Sequence, residues 1–152
     1  MRCFLCSTHL EDHEHLFFRC NISAVVWSSV QNKCGICIPQ ASWVDTISWI
    51  ARNWITNNLT TLSWKLCFTI TVYSLWIERN TRLHQNRANG VQFISEKIID
   101  MVRMKLSSLK DVYDSNENRR QQPDGTSLTR SLLGSLLCGE GLVSVSSVCR
   151  TC

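Results

Sequence analysis

Between Trp43 and Leu109 the apolar side chains return at steps of three and four, the period of one face of an α-helix. Trp43, Ile47, Ile50 and Trp54 follow one another at steps of four, three and four, with Ser42 ahead of them as a candidate N-cap. A longer, more apolar segment, about Thr60 to Asn86, carries Trp64, Phe68, Val72, Leu75 and Trp76 as an expected buried stripe. It ends in a charged run, Glu78, Arg79, Arg82, His84 and Arg87, and Gly90 is expected to stop it. A fourth helix is predicted from about Val91 to Tyr113, with Ile94, Ile98, Met101, Val102, Leu106 and Leu109 on one side. Lys97, Arg103, Lys105 and Lys110 face mostly away from that side. Upstream, Val25, Val26, Trp27 and Val30 suit a shorter helix from about Ile22 to Gln31, capped by Asn21 or Ser23, and a turn around Gly35 and Pro39 follows it. Tryptophans at helical spacing are the mark of a packed core.

Beyond Ser115 the pattern fails. Residues 115–127 are polar, with Arg119-Arg120 and a Pro123-Asp124-Gly125 turn signal, and read as a linker. Residues 128–152 are rich in Leu, Ser and Gly without a clean period, which predicts disorder or one weak helix near Leu128–Leu137. Cys3, Cys6, His15 and Cys20 make a Cys3His set of zinc-ligand type near the N-terminus, so the expected class is mainly α: a small Cys3His zinc finger, a bundle of about four helices, and a disordered C-terminal tail. The expected divisions are 1–32 for a zinc-binding segment with its following helix, 40–114 for the helical region, and 115–152 for linker and tail.

The first twenty residues follow neither period and carry the candidate chemistry. Cys3, Cys6, His15 and Cys20 stand in the order Cys-x2-Cys-x8-His-x4-Cys, and three thiolates plus one imidazole make a complete tetrahedral set for structural Zn2+. A two-residue gap lets one tight turn aim two sulfurs at a single ion. His13 is a competing histidine ligand, giving gaps of six on either side, and His9 lies close to the first pair. The loop Glu11-Asp12-His13-Glu14 is acidic, an odd surface for gripping phosphate, and Leu16, Phe17 and Phe18 give the finger an apolar side.

Composition narrows the rest. The 152 residues carry 44% hydrophobic side chains, enough for a core, and all six tryptophans fall between Trp27 and Trp76. A formal charge of +4 is a mild basic excess, compatible with nucleic acid. The N-terminus lacks a secretory signal pattern, so the expected location is intracellular, in nucleus or cytoplasm, where nine cysteines argue for metal rather than disulfides. The most apolar stretch, Trp64 to Ile77, is shorter than the ~20 residues that cross a bilayer, so no membrane span is expected.

Catalytic patterns are missing. There is no Gly-rich phosphate loop, no nucleophile elbow, no His-Glu-x-x-His helix, and the acidic residues are too scattered for a two-metal centre. An enzyme with a small-molecule substrate is therefore not expected. A second Cys-x2-Cys, Cys34 and Cys37, reads as an unligated pair. Joining it to Cys3 and Cys6 would leave His15 and Cys20 idle across a 27-residue gap, and a redox dithiol lacks its strand–turn–helix context. In the charged run two readings stand together: Arg79, Arg82 and Arg87 as phosphate contacts, or Glu78 and Arg82 as an intrahelical pair at i,i+4.

The run Cys3-Phe4-Leu5-Cys6, then Glu11-Asp12-His13-Glu14-His15-Leu16-Phe17-Phe18-Arg19-Cys20, with Trp27 seven residues on, resembles the zinc-binding domain of reverse transcriptases from plant non-long-terminal-repeat retrotransposons. Tyr73-Ser74-Leu75-Trp76-Ile77-Glu78-Arg79-Asn80-Thr81-Arg82 is similar to a signature that commonly follows in those polyproteins. The resemblance covers roughly residues 3–90, favours His15 as the ligand, and implies a fragment without the polymerase, endonuclease and ribonuclease H domains. It further implies a noncatalytic module associated with RNA or DNA, with Arg2, Arg19, Arg79 and Arg82 near phosphate. The alternatives are a structural or docking module, whose exposed Phe17/Phe18 side meets other domains of the parent polyprotein, and an inactive relic.

Overall fold

A computed structural model describes residues 1–36, 42–53 and 59–117. The described chain is mainly helical: a short π-helical turn at His15–Arg19, then α1 (Asn21–Cys34), α2 (Trp43–Asn53), α3 (Leu59–Gln85) and α4 (Val91–Glu117). Cys37, Pro39 and Trp54, and the expected linker and tail from residue 118 onward, lie outside the described residues.

One apolar cluster runs from the N-terminal loop through all four helices, joining Cys3, Leu5 and Cys20 to Val26, Trp27 and Val30 of α1, Ile50 of α2, Leu75 of α3 and Ile98, Val102 and Leu106 of α4. Helices α1 and α3 both pack on α4. The i, i+3/i+4 spacing of Ile94, Ile98, Val102 and Leu106 accounts for the α4 face, because those positions stack one above another along a helix. Trp27 sits at the centre, 1% exposed, with its ring against Phe18 at 6.0 Å and Phe68 at 5.6 Å between centroids. Trp43 of α2 reaches Phe17 and Phe18 at 5.7 and 5.6 Å, and Trp49 stacks on Trp64 of α3 at 5.7 Å, which ties α2 to the rest.

Local signals place several helix ends. Ser42 caps α2: its Oγ accepts the Asp45 N–H at 3.2 Å and donates to the Asp45 carboxylate at 2.7 Å, a reciprocal cap. Gly35 ends α1 in the left-handed region at φ 61°, and the N–H groups of Gly35 and Ile36 both return to the Gln31 carbonyl.

Other expectations are corrected. The first helix is longer than Ile22–Gln31, and its cap is neither Asn21 nor Ser23. The Asn21 side chain accepts from the adjacent Ile22 N–H, while Ser23 is fully buried and donates to the Leu16 carbonyl at 2.6 Å. Asn86, at φ 51°, and not Gly90, takes the left-handed conformation after α3, a geometry asparagine tolerates better than most residues. Gly90 instead precedes α4 and accepts the Ile94 N–H. Helix α4 runs on to Glu117, past the expected linker start. Trp76 leaves the expected buried stripe and is 46% exposed. Steps of three and four mark a face of some width, and Trp76 falls just beyond the edge occupied by Phe68 and Leu75.

Candidate metal centre

The segment before α1 is built around a tight turn. Residues Arg2 and Leu10 pair in an isolated antiparallel bridge, with Cys3 N–H donating to the His9 carbonyl at 2.8 Å. Ser7 N–H closes the turn onto the Cys3 carbonyl at 2.8 Å, and Ser7 itself takes a left-handed φ of 60°. This geometry turns Cys3 and Cys6 to the same side. The π-helical turn supplies the other half. Asp12 accepts the His15 N–H at 2.7 Å, fixing the start of the turn, and Cys20 N–H reaches back to the His15 carbonyl at 2.7 Å. The five-residue span of that bond sets His15 and Cys20 on one side of the turn.

Cys3, Cys6, His15 and Cys20 accordingly converge, with their donor atoms all within 4.8 Å of one another. Four such donors within that distance could hold one metal ion. Cys6 Sγ lies 3.3 Å from His15 Nε2. Cys3 and Cys20 are buried to 1% and 0% exposure, and His15 to 9%. His13 turns instead toward the Trp43 ring at 6.3 Å, and the His9 ring lies tilted beside that of His15 at 5.1 Å with Nδ1 engaged by Thr8. The competition between His15 and His13 is decided by the direction of the turn, which spacing alone left open.

The thiols differ in proton affinity for identifiable reasons. Burial pushes Cys3 up to about 11, against hydrogen bonds from the Cys6 and Leu5 backbone, and the nearby Cys20 adds to the rise. Burial acts the same way on Cys6, but the Thr8 hydroxyl, the Thr8 and His9 N–H groups and the His15 ring outweigh it and bring it down to about 5.

The centre is clamped to the helices. The Trp27 indole N–H donates to the Phe17 carbonyl at 2.7 Å, and Ser23 to that of Leu16, so α1 satisfies carbonyls that the irregular turn leaves open. From α3, Arg79 Nη2 and Nε meet Glu11 Oε1 at 2.8 and 3.0 Å, while Glu11 Oε2 accepts the Phe4 N–H at 3.2 Å. The Arg79 guanidinium also lies over the Phe4 and Trp76 rings, at 5.1 and 5.7 Å from their centroids. Arg82 spans three partners: Nη1 donates to the Leu5 carbonyl inside the Cys3–Cys6 turn at 2.7 Å, Nε to Glu78 at 2.8 Å, and Nη2 to the Asn89 carbonyl at 3.1 Å.

The expected nucleic-acid contacts therefore divide. Arg79 and Arg82 direct their donors inward, with side chains 10% and 16% exposed, and the Glu78–Arg82 pair is present. Arg2 is exposed, and Arg19 is exposed with its guanidinium 2.6 Å from Glu14. The acidic loop has an internal purpose, since Glu11 anchors α3 and Asp12 caps the turn. Phe17 and Phe18, expected as an exposed docking side, are each 6% exposed because Trp27 and Trp43 cover them. Sequence reasoning missed Ser23, Asn89 and Glu11 as partners of this centre. Cys34 is buried against Cys67 of α3, whose thiol is pushed far up by its hydrogen bond to Cys34 and by burial.

Comparison with protein-family models, with curated proteins and with solved structures finds no match. Among the described residues no helix is long and apolar enough to cross a membrane.

Proposed function

We propose that the chain is a noncatalytic zinc-binding module that associates with RNA or DNA, of the kind that reverse transcriptases of plant non-long-terminal-repeat retrotransposons carry. The observation that carries this reading is the convergence of Cys3, Cys6, His15 and Cys20 to within 4.8 Å. Four protein ligands close a tetrahedron and leave no position for substrate, which makes the metal a structural element. Cys3, Cys6, His15 and Cys20 would hold the ion, and zinc bound this way contributes about 10–16 kcal/mol in finger peptides.

Support for nucleic acid is the basic excess of +4 together with the two motifs that carry the family resemblance. The Cys/His run and the Glu78–Arg82 run lie against each other, joined by Arg79 to Glu11 and Arg82 to Leu5. Arg2 and Arg19 remain at the surface, Arg19 paired with Glu14, which phosphate would have to displace. The test is filter binding of the zinc-loaded chain to RNA and DNA across a salt series, where the expected result is affinity that falls steeply with salt. Absence of salt-sensitive binding to either would refute it.

A further inference from the structure

The hairpin of α3 and α4, joined by five residues, leaves an open groove with Ile94 of the core in its lining. Its walls are two rows at helical i, i+4, i+8 spacing: Tyr73, Ile77 and Thr81 from α3, and Phe93, Lys97 and Met101 from α4. Tyr73 and Phe93 are 59% and 54% exposed in a chain that buries Trp27 and Phe68 completely or nearly so. Arg87 lies at the end of the groove beside the hairpin loop. Among the described residues no hydrogen bond or ion pair holds Arg87 or Lys97, and both are exposed. The one acid on the wall, Glu78, is paired with Arg82 and accepts hydrogen bonds from both nitrogens of Asn89. On the outer face of α4, Glu96 is engaged by Gln92 and Asp100 by Arg103.

We propose that this groove binds single-stranded nucleic acid, with Tyr73 and Phe93 stacking on bases while Arg87 and Lys97 meet the phosphates. The proposal rests on the nucleic-acid reading above and gives it a site. Aromatic platforms flanked by unpaired cations are the recognition chemistry of unpaired strands, because only there are base faces free to stack. A volume of about 330 Å³ suits one or two bases. The free charge on the rim is positive, which complements phosphate.

The test uses the full zinc-loaded chain and labelled oligonucleotides of roughly 12 nucleotides, single-stranded and duplex, followed by fluorescence anisotropy. Single strands are expected to bind more tightly than duplex of the same sequence. Tyr73→Ala and Phe93→Ala should each weaken single-strand binding by about 10-fold or more. The Arg87→Gln/Lys97→Gln double variant should reduce the slope of log affinity against log salt by about 1.4, at ~0.7 per lost phosphate contact. All four side chains are exposed, so zinc content and helical circular dichroism should stay unchanged and serve as the folding control. If the chain binds nucleic acid and these variants bind as the original does, the groove assignment falls and the broader reading stands. If the unmodified chain binds no nucleic acid, both fall.

Discussion

Glu11 and Arg79 stand 68 residues apart in sequence and meet at 2.8 Å, with side chains 11% and 10% exposed. The pair fastens the loop between the two halves of the metal centre to the middle of the bundle. Because both charges are largely withdrawn from water, removing one strands the other. Arg79→Ala is expected to cost about 2–4 kcal/mol, including its lost packing on Phe4 and Trp76. A double-mutant cycle with Glu11→Gln, read by urea unfolding, should give a coupling of about 1–2 kcal/mol. Strict additivity would mean that the contact does not form in solution.

Arg82 holds Leu5, Glu78 and Asn89 at once, which takes the planar fork of a guanidinium. Arg82→Lys keeps the charge but cannot reach all three. The expected result is a loss of about 1–2 kcal/mol in stability, together with easier metal extraction in a chelator competition, since the Leu5 carbonyl belongs to the Cys3–Cys6 turn. Unchanged metal retention would separate this arginine from the centre.

Burial works to raise Glu78, but hydrogen bonds from Asn89 and Arg82 overcome it and hold its carboxyl below the ordinary range. A folded-state value below the unfolded one, ~4.3, means that the ionised group stabilises the fold above that pH. The contribution disappears as pH falls through the folded value. The stability difference between the original chain and Glu78→Gln should therefore be present at pH 7 and vanish in strong acid. Metal release affects both chains, so the difference is the quantity to follow. A difference that does not change with pH would contradict the assignment.

Trp27 fills the centre of the core and also donates to Phe17. Trp27→Phe keeps most of the ring but leaves the Phe17 carbonyl without its donor, with an expected cost of about 1–3 kcal/mol. Trp27→Ala should cost about 3–5 kcal/mol through the cavity it opens. Thermal unfolding of both variants measures the two losses; a Trp27→Phe variant as stable as the original would remove the hydrogen bond from the account, and equal losses in the two would remove the cavity.

What was legible in the sequence was local. Cys3, Cys6, His15 and Cys20 are held by turns of a few residues, so their spacing was enough to bring the segment forward, although it left His13 open beside His15. Ser42 capping α2 and the α4 stripe through Leu106 follow from neighbours within one or two helical turns. The unread part was long-range. Nothing near Arg79 or Arg82 in the chain reveals that Glu11 and Leu5 will arrive beside them. Phe17 and Phe18 looked exposed because the rings that cover them, Trp27 and Trp43, come from two different helices. Asn86 displaced Gly90 at the end of α3 because either residue tolerates the conformation, and the order of the loop decides between them.

The most direct test is the metal content of the purified full chain, by elemental analysis and native mass spectrometry, beside a Cys20→Ser variant. One zinc ion per chain, lost in the variant along with cooperative unfolding of the N-terminal segment, is the expected result. A chain that is isolated without metal and melts identically with and without chelator would contradict the central claim.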